Sequence, residues 1–218
     1  MIRAAVRLSE EASLQDALTA MAPKGVRIGC RSLREGDEAH LLGGEAHSIP
    51  TRHAARRAAS GSARWIARAL LGEIGMPDFA ILRAPSGAPI WPEGITGSLA
   101  HDDEMAVAAI ARSHIGSIGL DVEPSTPLPQ DVYALIATEA DRTDAAAPPL
   151  AGRILFAAKE AVYKAVYPLD REILGYEDIA VDLGTGRAWT RSGREATLLY
   201  CVAPRIAVLA IIAGGRGS

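Results

Sequence analysis

The sequence from Ile118 to Glu123 reads IGLDVE and alternates between large apolar residues and glycine or acidic residues. Such period-two alternation predicts a β-strand with one buried face. Residues two apart on a strand project to the same side, so Asp121 and Glu123 share a face while Val122 points into the core. Two neighbouring carboxylates repel each other unless a cation neutralises them, and Mg²⁺ binds such oxygens together with phosphates. The alternative is a solvated strand face that carries two acids.

A second motif lies farther along the chain, where the sequence FAAKEAVYK runs from Phe156 to Lys164. Helical spacing places Glu160 among aromatic residues on one side of a helix, and the alanine-rich other side suits packing. Partial desolvation there would raise the pKa of Glu160 towards a value useful for proton abstraction, whereas a nearby metal ion would lower it. Lys159 and Lys164 are candidates for contacts with phosphate oxygens. The alternative is an ordinary amphipathic helix with a Glu160–Lys164 ion pair.

Upstream of both motifs, the residues from Ala46 to Gly72 include no carboxylate. The same stretch carries a run of cationic and imidazole side chains: His47, Arg52, His53, Arg56, Arg57, Arg64 and Arg68. Helical spacing puts Arg57, Arg64 and Arg68 on one face. Unpaired arginines on one side favour an anion with fork geometry, such as a phosphate monoester, and a solvated basic helix face is the alternative.

A histidine in a turn completes the candidate residues. The segment GSLAHDDE, from Gly97 to Glu104, places His101 after a glycine-bearing turn and before the apolar run MAVAAIA. A loop-borne imidazole can bind phosphate or carry a proton, although a lone histidine is more often an ordinary polar residue. Together the four features are the parts of a magnesium-assisted phosphate-transfer site.

The rest of the sequence favours an α+β fold, with helices and strands mixed in each half. Predicted helices cover residues 9–22, 53–71 and 149–167, the last stopping before Pro168. Predicted strands cover 26–30, 79–82, 106–111, 118–123, 179–183, 197–202 and 206–212, and the last two form a hairpin. The glycine- and proline-rich stretch at 86–98 is expected to form turns.

Composition excludes several classes of protein. The chain of 218 residues is 49% hydrophobic and 22% charged, which is ordinary for a globular protein and excludes a disordered one. A net charge of −3 gives no reason to expect a nucleic-acid partner. Two cysteines, Cys30 and Cys201, cannot build a disulfide framework or a four-thiolate zinc site. Without a signal-like N-terminus or a long apolar run, we expect a soluble, cytoplasmic protein with no membrane contact.

Three motifs, in this order and spacing, resemble the Sfp-type 4′-phosphopantetheinyl transferases, and most nearly their EntD/PptT-like branch. The motifs are GAPIWPEGITGSLAH at 87–101, IGLDVEP at 118–124 and FAAKEAVYKAVYPL at 156–169. The resemblance is continuous from about residue 53 to residue 182, which is more than half of the chain. Because it rests on three separate motifs, it is specific.

The resemblance implies two similar α/β halves, residues 1–116 and 117–218, related by a pseudo-twofold axis, with the active site in the cleft between them. It implies transfer of the 4′-phosphopantetheine group from coenzyme A to a serine of an apo acyl or peptidyl carrier protein, with release of 3′,5′-ADP. Such an enzyme is of the holo-[acyl-carrier-protein] synthase type. Two fused halves need no partner subunit, so a monomer is expected. The carrier stays open: it could serve fatty-acid, polyketide, nonribosomal-peptide or siderophore synthesis.

The resemblance also assigns the acidic residues and the lysines. By match to the family motifs, Asp121, Glu123 and Glu160 would ligate Mg²⁺, for which Mn²⁺ can substitute, and the ion would bridge the pyrophosphate of coenzyme A. Glu160 would also be the leading candidate to deprotonate the carrier serine, directly or through water. Lys159 and Lys164 would stabilise charge on the phosphates.

The remaining implied contacts are with the phosphates of coenzyme A. His101 matches the family histidine that touches these phosphates. Arg57 and Arg64 match the pair around the 3′-phosphate, and Arg56 or Arg52 could substitute for one of them. Arg83 lies where relatives carry a cationic phosphate contact.

The sequence departs from the family pattern around His101. Ala100 replaces a hydroxyl residue, and the acidic run Asp102–Glu104 replaces small residues, which would weaken anion binding unless the acids face away. Ile173 stands where close relatives often have tryptophan. Two alternatives to an active transferase therefore stay open: a degenerate relative that binds coenzyme A or a carrier without turnover, and another Mg²⁺-dependent phosphoryl or pyrophosphoryl enzyme.

Overall fold

Two antiparallel sheets, with helices packed on them, form the part of the chain that the structure describes. The computed structural model describes residues 2–214, and the side chains of 7–214. Its helices are α1 Ile2–Met21, α2 Gly43–Ser48, α3 Ala54–Gly72, α4 Gln130–Ile136 and α5 Pro148–Asp170. Its strands are β1 Val26–Ser32, β2 Ile95–His101, β3 Met105–Arg112, β4 Gly116–Pro124, β5 Ile179–Asp182, β6 Arg187–Thr190, β7 Glu195–Cys201 and β8 Arg205–Ala213. The predicted α+β class is confirmed.

The two sheets face each other across a shared core. The N-terminal sheet has the order β1-β3-β2, and the C-terminal sheet has the order β4-β8-β7-β6-β5. Helix α3 covers the outer face of the first sheet, and α5 covers the outer face of the second. Between the sheets, Leu14 and Leu18 of α1 pack with Val107, Leu120 and Leu209. The predicted division of the chain after residue 116 falls at the first residue of β4, and it stays a prediction.

The halves of the molecule meet where β2 lies beside β4. The Ser98 hydroxyl oxygen accepts a hydrogen bond from the backbone N–H of Leu120 at 2.9 Å. The hydroxyl oxygen of Thr96 accepts a longer one from the N–H of Ile118 at 3.4 Å. These bonds hold the acid-bearing strand β4 against the N-terminal half.

Strand β4 is buried on both faces, so the prediction of a single buried face is wrong. Val122 points into the core as predicted and is 1% exposed, but Asp121 on the opposite face is buried too. The physical cause is the close approach of α5, because a Cβ at Gly119 would overlap the carbonyl oxygen of Ala161. Asp121 is therefore not a solvated surface acid.

Helix α5 starts at Pro148 and runs two residues past Pro168, so the predicted stop before that proline is wrong. A proline in the last turn removes one N–H donor without breaking the turns before it. The backbone N–H of Arg171 still reaches the carbonyl of Tyr167 at 2.9 Å and closes the helix. Arg171 itself adopts the left-handed conformation, with φ 57°, that commonly ends a helix.

The segment predicted as a strand at 79–82 forms no regular strand, so that prediction is wrong. Only an isolated bridge joins Arg83 to Pro89 there. The backbone N–H of Ile81 is instead bonded to the buried carboxylate of Glu45 at 2.9 Å. A side chain thus satisfies the backbone group that a sheet would otherwise have paired.

Strand β2 forms inside the stretch expected to make turns. Its Gly97 lies against the indole ring of Trp91, and a Cβ at Gly97 would come within 2.6 Å of that ring. The glycine therefore permits close packing within a strand rather than a turn. The prediction of turns holds only for the residues before Ile95.

Among the helices of the described residues, none is both long and apolar enough to cross a bilayer.

Candidate active site

A cleft of about 290 Å³ lies between the N-terminal half and α5. One wall consists of residues from the loop before β2 and from β2 itself: Ser86, Gly87, Ala88, Pro89, Trp91, Gly97, Ser98 and Leu99. The other wall consists of α5 residues: Glu160, Tyr163, Lys164, Tyr167 and Pro168. The helix face that the motif predicted thus lines the cleft, and both halves contribute to it.

Asp121 lies beside this cleft and is almost fully buried. One of its oxygens, Oδ1, is 2.7 Å from the Lys164 ammonium, which also donates to the Leu120 carbonyl at 3.2 Å. The other oxygen, Oδ2, is buried and has no hydrogen-bond partner among the described residues. Burial raises the pKa of Asp121, the charge of Glu160 raises it further, and Lys164 opposes both effects. Lys164 thus pairs with Asp121 rather than with Glu160 four residues before it.

Glu160 is partly exposed in the cleft and is held from the side by a tyrosine. The Tyr176 hydroxyl donates a hydrogen bond of 2.9 Å to Oε1 of Glu160. Burial, together with this bond and the nearby acidic charges, raises the pKa of Tyr176. The phenol therefore stays protonated at neutral pH and acts as a donor to the carboxylate.

Glu123 leaves the end of β4 and pairs with an arginine of α5. Its Oε2 is 2.8 Å from Nη1 of Arg153, and both side chains are largely buried. Burial and then the negative charge of Asp121 raise the pKa of Glu123 to about 7, although Arg153 works in the opposite direction. Burial and the charge of Asp121 therefore outweigh the stabilisation that Arg153 gives to the ionised Glu123 carboxylate.

The chemistry of these carboxylates fits a hard divalent cation. Within residues 2–214, no three acidic, histidine or cysteine side chains lie close enough to form a complete metal site by themselves. Asp121 nevertheless presents a buried oxygen without a partner, and its pKa and that of Glu123 respond to neighbouring acids. Mg²⁺ needs only one or two protein carboxylates because substrate phosphates and water complete its shell. The structure therefore does not bring Asp121, Glu123 and Glu160 together as a set of metal ligands, and the unpaired Oδ2 of Asp121 is the observation that favours a cation here.

His101 ends β2 on the same side of the molecule as Lys164. Desolvation lowers the pKa of His101, and the positive charge of Lys164 lowers it further. The ring nitrogen Nδ1 lies 3.3 Å from the carbonyl of Asp102. A largely neutral imidazole at this position can donate a hydrogen bond to an anion.

Two of the three acids that follow His101 are held by a buried arginine. Arg205, which is 5% exposed, forms ion pairs with Asp102 and Glu104, and its Nε bonds Glu10 of α1 at 2.9 Å. Asp102 also accepts backbone hydrogen bonds of 2.8 Å within the turn. Arg205 thus neutralises two of the three acids and stabilises the turn, whereas Asp103 has no such pair among the described residues.

Comparison with known proteins agrees with this geometry. Residues 44–111 match the model of the 4′-phosphopantetheinyl transferase N-terminal domain, and residues 117–206 match that of the 4′-phosphopantetheinyl transferase superfamily. The chain is 40% identical over 157 residues to the 4′-phosphopantetheinyl transferase Npt of Nocardia iowensis, covering 68% of this chain and 70% of Npt. The chain belongs to the 4′-phosphopantetheinyl transferase superfamily.

Two further relatives place this transferase near the branch that the motifs predicted. It is 38% identical over 152 residues to the 4′-phosphopantetheinyl transferase PptT of Mycobacterium tuberculosis, covering 67% of each chain. It is 40% identical over 134 residues to the 4′-phosphopantetheinyl transferase Svp of Streptomyces mobaraensis, covering 56% of this chain and 54% of Svp. The predicted family and its class of activity are confirmed.

Lys159 of the transferase does not reach the cleft, unlike the phosphate contact expected of it. Its ammonium is fully buried and lies 2.8 Å from the Asp141 carboxylate. It also donates to the carbonyls of Ile136 at 2.8 Å and Tyr176 at 2.9 Å. Three oxygen partners leave no donor for a phosphate. This placement does not support a phosphate contact for Lys159.

The expected arginines are spread around α3 rather than gathered at one point. Arg64 is buried, and its Nε donates to the Ile81 carbonyl at 2.8 Å. Burial lowers the pKa of Arg64, the nearby Glu45 carboxylate opposes this effect, and the charges of Arg68 and Arg83 add to it. Arg57 faces backbone carbonyls at 3.4–3.5 Å, whereas Arg56 is exposed. Of these arginines, Arg83 lies beside the cleft wall, where its guanidinium is close to Gly87.

Reasoning from the sequence missed three residues that hold acidic side chains in this region. Arg153 pairs with Glu123, and Tyr176 donates a hydrogen bond to Glu160. Arg205 pairs with Asp102 and Glu104. A signal existed for Arg153, because it lies two helical turns before Glu160 and so shares its side of α5. No local signal existed for Tyr176 or Arg205, because each reaches the site from an element distant in sequence.

Proposed function

We propose that this transferase moves the 4′-phosphopantetheinyl group of coenzyme A to a serine hydroxyl of an apo acyl or peptidyl carrier protein. It would be of the holo-[acyl-carrier-protein] synthase type and act as a cytoplasmic monomer. The observation that carries the proposal is the cleft between the halves, where Asp121, Glu160 and Lys164 meet beside His101. The Lys164 ammonium can bind phosphate oxygens, and the Glu160 carboxylate can accept the proton of a hydroxyl nucleophile.

We propose Mg²⁺ as the ion of this site, with Mn²⁺ as a substitute. Asp121, Glu123 and Glu160 would hold it, and the buried unpaired Oδ2 of Asp121 is the support for this choice. When bound, the ion would neutralise charge on the pyrophosphate.

In the proposed reaction Glu160 is the proton acceptor. The serine oxygen forms a bond to the phosphorus that carries the pantetheine arm, and the bond from that phosphorus to the 3′,5′-ADP oxygen breaks. The electron pair of that bond leaves with 3′,5′-ADP, and the serine proton goes to a Glu160 oxygen, directly or through water. Lys164 and His101 lie where they can stabilise charge that develops on the phosphate oxygens. No covalent enzyme intermediate is needed.

The arginines near α3 are proposed for the 3′-phosphate. The charges of Arg83 and Arg68 act on the buried Arg64, Glu45 offsets them in part, and an anion beside Arg83 would offset them further. Arg57 and Arg56 lie on the first turn of the same helix and can approach the phosphate from its exposed side. The buried Lys159 is left out of this set, because its three oxygen partners account for its ammonium.

A carrier-protein mass assay tests the proposed function. The transferase is incubated with coenzyme A, Mg²⁺ and several apo carrier proteins, and the carriers are weighed by mass spectrometry. We expect the mass of one phosphopantetheine group on a serine, loss of that gain with a chelator, and loss of it in Glu160→Gln. Coenzyme A binding without a mass gain on any carrier would contradict the proposal and indicate a protein that binds without turnover. Cleavage of the pyrophosphate without a carrier would indicate a different enzyme.

A second assay tests the 3′-phosphate contacts. Arg83→Gln is expected to raise the KM for coenzyme A while changing the KM for dephospho-coenzyme A little, because the latter lacks the 3′-phosphate. Equal rises for both substrates would contradict the assignment of Arg83.

A further inference from the structure

The three acids of the proposed metal site share one feature that none of the motifs indicated. Each has one carboxylate oxygen bonded to a protein donor: Lys164 holds Asp121, Arg153 holds Glu123 and Tyr176 holds Glu160. Their second oxygens accept no hydrogen bond from the described residues. Three carboxylates from two elements are thus each fixed at one oxygen and left open at the other.

Arg153 is well placed to fix Glu123 rather than merely to neutralise it. Its Nη1 donates to Glu123 Oε2 at 2.8 Å, while Nε donates to the carbonyl of Thr126 at 3.3 Å and Nη2 to that of Pro127 at 3.1 Å. The guanidinium therefore joins the carboxylate to the backbone that follows β4. A planar fork with several fixed donors orients its partner more strictly than a point charge does.

Tyr176 is held at both of its polar ends. Its backbone carbonyl accepts a hydrogen bond from the buried Lys159 ammonium at 2.9 Å, and its hydroxyl donates to Glu160 at 2.9 Å. Its ring packs against Phe156, with ring centres 6.0 Å apart. Lys159 and Glu160 are neighbours on α5, so Tyr176 connects the two sides of the helix and fixes the carboxylate rotamer.

We propose that Arg153 and Tyr176 are positioning residues that orient Glu123 and Glu160, so that the free oxygens of these acids turn towards one divalent ion. The inference rests on the proposed metal site. The opposing view is that Arg153 competes with the ion for Glu123. The two views predict opposite changes in metal affinity when Arg153 is replaced.

Direct Mn²⁺ binding, measured by electron paramagnetic resonance in the presence of coenzyme A, separates these views. Tyr176→Phe removes one donor without changing charge, and Arg153→Lys keeps the charge but loses the fork. We expect each to weaken Mn²⁺ binding about tenfold, which is the lower end for residues that support metal ligands. Arg153→Gln is expected to weaken it further. Activity of the variants should recover at raised Mg²⁺ concentration, while the KM for coenzyme A at saturating Mg²⁺ stays unchanged.

Two matched controls keep the test sharp. Tyr200→Phe removes a hydroxyl on β7, and Arg187→Gln breaks an exposed pair with Glu195, both away from the cleft. Neither should change Mn²⁺ affinity. Unchanged Mn²⁺ affinity in folded Tyr176→Phe and Arg153→Lys, or tighter binding in Arg153→Gln, would overturn the inference. If the wild-type transferase binds no Mn²⁺, the metal proposal itself fails, which is a distinguishable result.

Discussion

Lys159 and Lys164 show how two lysines of one motif acquire different roles. Lys164 lies on the cleft side of α5 and pairs with Asp121, whereas Lys159 points away from the cleft into the protein. A buried ammonium is tolerated only when it is paired and fully hydrogen-bonded. Asp141 and two backbone carbonyls meet this need for Lys159.

We expect Lys159→Met to reduce stability rather than coenzyme A affinity. The substitution leaves the Asp141 carboxylate buried and unpaired, which costs about 3–5 kcal/mol. Urea unfolding would measure the loss, and the KM for coenzyme A of the protein that remains folded should be unchanged. Asp141→Asn is the companion variant and should destabilise in the same direction. Full stability together with a raised KM would return Lys159 to the phosphate site.

The thiol of Cys30 provides a prediction on pH. Burial, and then the nearby Glu11 charge, raise the pKa of Cys30 to about 12. Because this pKa lies above the unfolded value of about 8.5, the native thiol stays neutral at pH 8 and the fold loses stability as pH rises from about 8.5 to 12. Alkylation by iodoacetamide at pH 8 should be slow in the native protein and fast in urea, as followed by mass spectrometry. Rapid native labelling of Cys30 would contradict the assignment.

At the level of elements, the contact between β4 and α5 sets the spacing of the acids. Asp121 comes from the strand and Glu160 from the helix, so their separation depends on how closely these elements pack. Gly119 permits that approach, because the carbonyl oxygen of Ala161 occupies the place of a Cβ. The backbone contact thus has a direct consequence for the site.

We expect Gly119→Ala to force α5 away from β4 and to reduce stability by about 3 kcal/mol, the upper end for overpacking. Transfer activity and Mn²⁺ affinity should fall with it, because Glu160 moves with the helix. Gly72→Ala is the control, since nothing lies within 4 Å of a Cβ there. Thermal unfolding and the carrier assay measure both effects. Wild-type values for Gly119→Ala would contradict the role of this contact.

How far the sequence predicts these elements depends on how local their signals are. The hairpin of β7 and β8, the strand β4 and the helix α5 carry clear periodicity, and all are present. Strand β2 was not predicted, because its Gly97 is a residue typical of turns. In the structure this glycine leaves space for the ring of Trp91. The predicted cleft-facing side of α5 is present, and helical spacing puts Arg153 on it. The pairing of Arg153 with Glu123 and the donor Tyr176 depend on tertiary contacts that periodicity does not report.

At the scale of the whole molecule, Arg205 connects three regions that are far apart in sequence. It lies on β8 of the C-terminal sheet, and its partners are Asp102 and Glu104 of the β2–β3 turn and Glu10 of α1. The turn also carries His101. One guanidinium therefore joins the two halves and supports the histidine proposed to contact phosphate.

We expect Arg205→Gln to cost about 3 kcal/mol in stability, because Asp102 is left buried without its cation. The KM for coenzyme A should rise as the turn loosens around His101, while Asp102→Asn in the same chain should restore part of the stability. Arg187→Gln, which breaks an exposed pair, should cost less than about 1 kcal/mol. If Arg205→Gln matches wild type in denaturant unfolding and in KM, the two halves are not coupled through this cluster.

Anomalous diffraction from crystals grown with coenzyme A and Mn²⁺ would locate the ion directly. We predict one manganese peak in the cleft between the halves, bonded to Asp121, Glu123 and Glu160 and to the pyrophosphate of coenzyme A. A peak away from these acids, or no peak at saturating Mn²⁺ with coenzyme A bound, would contradict the proposed site.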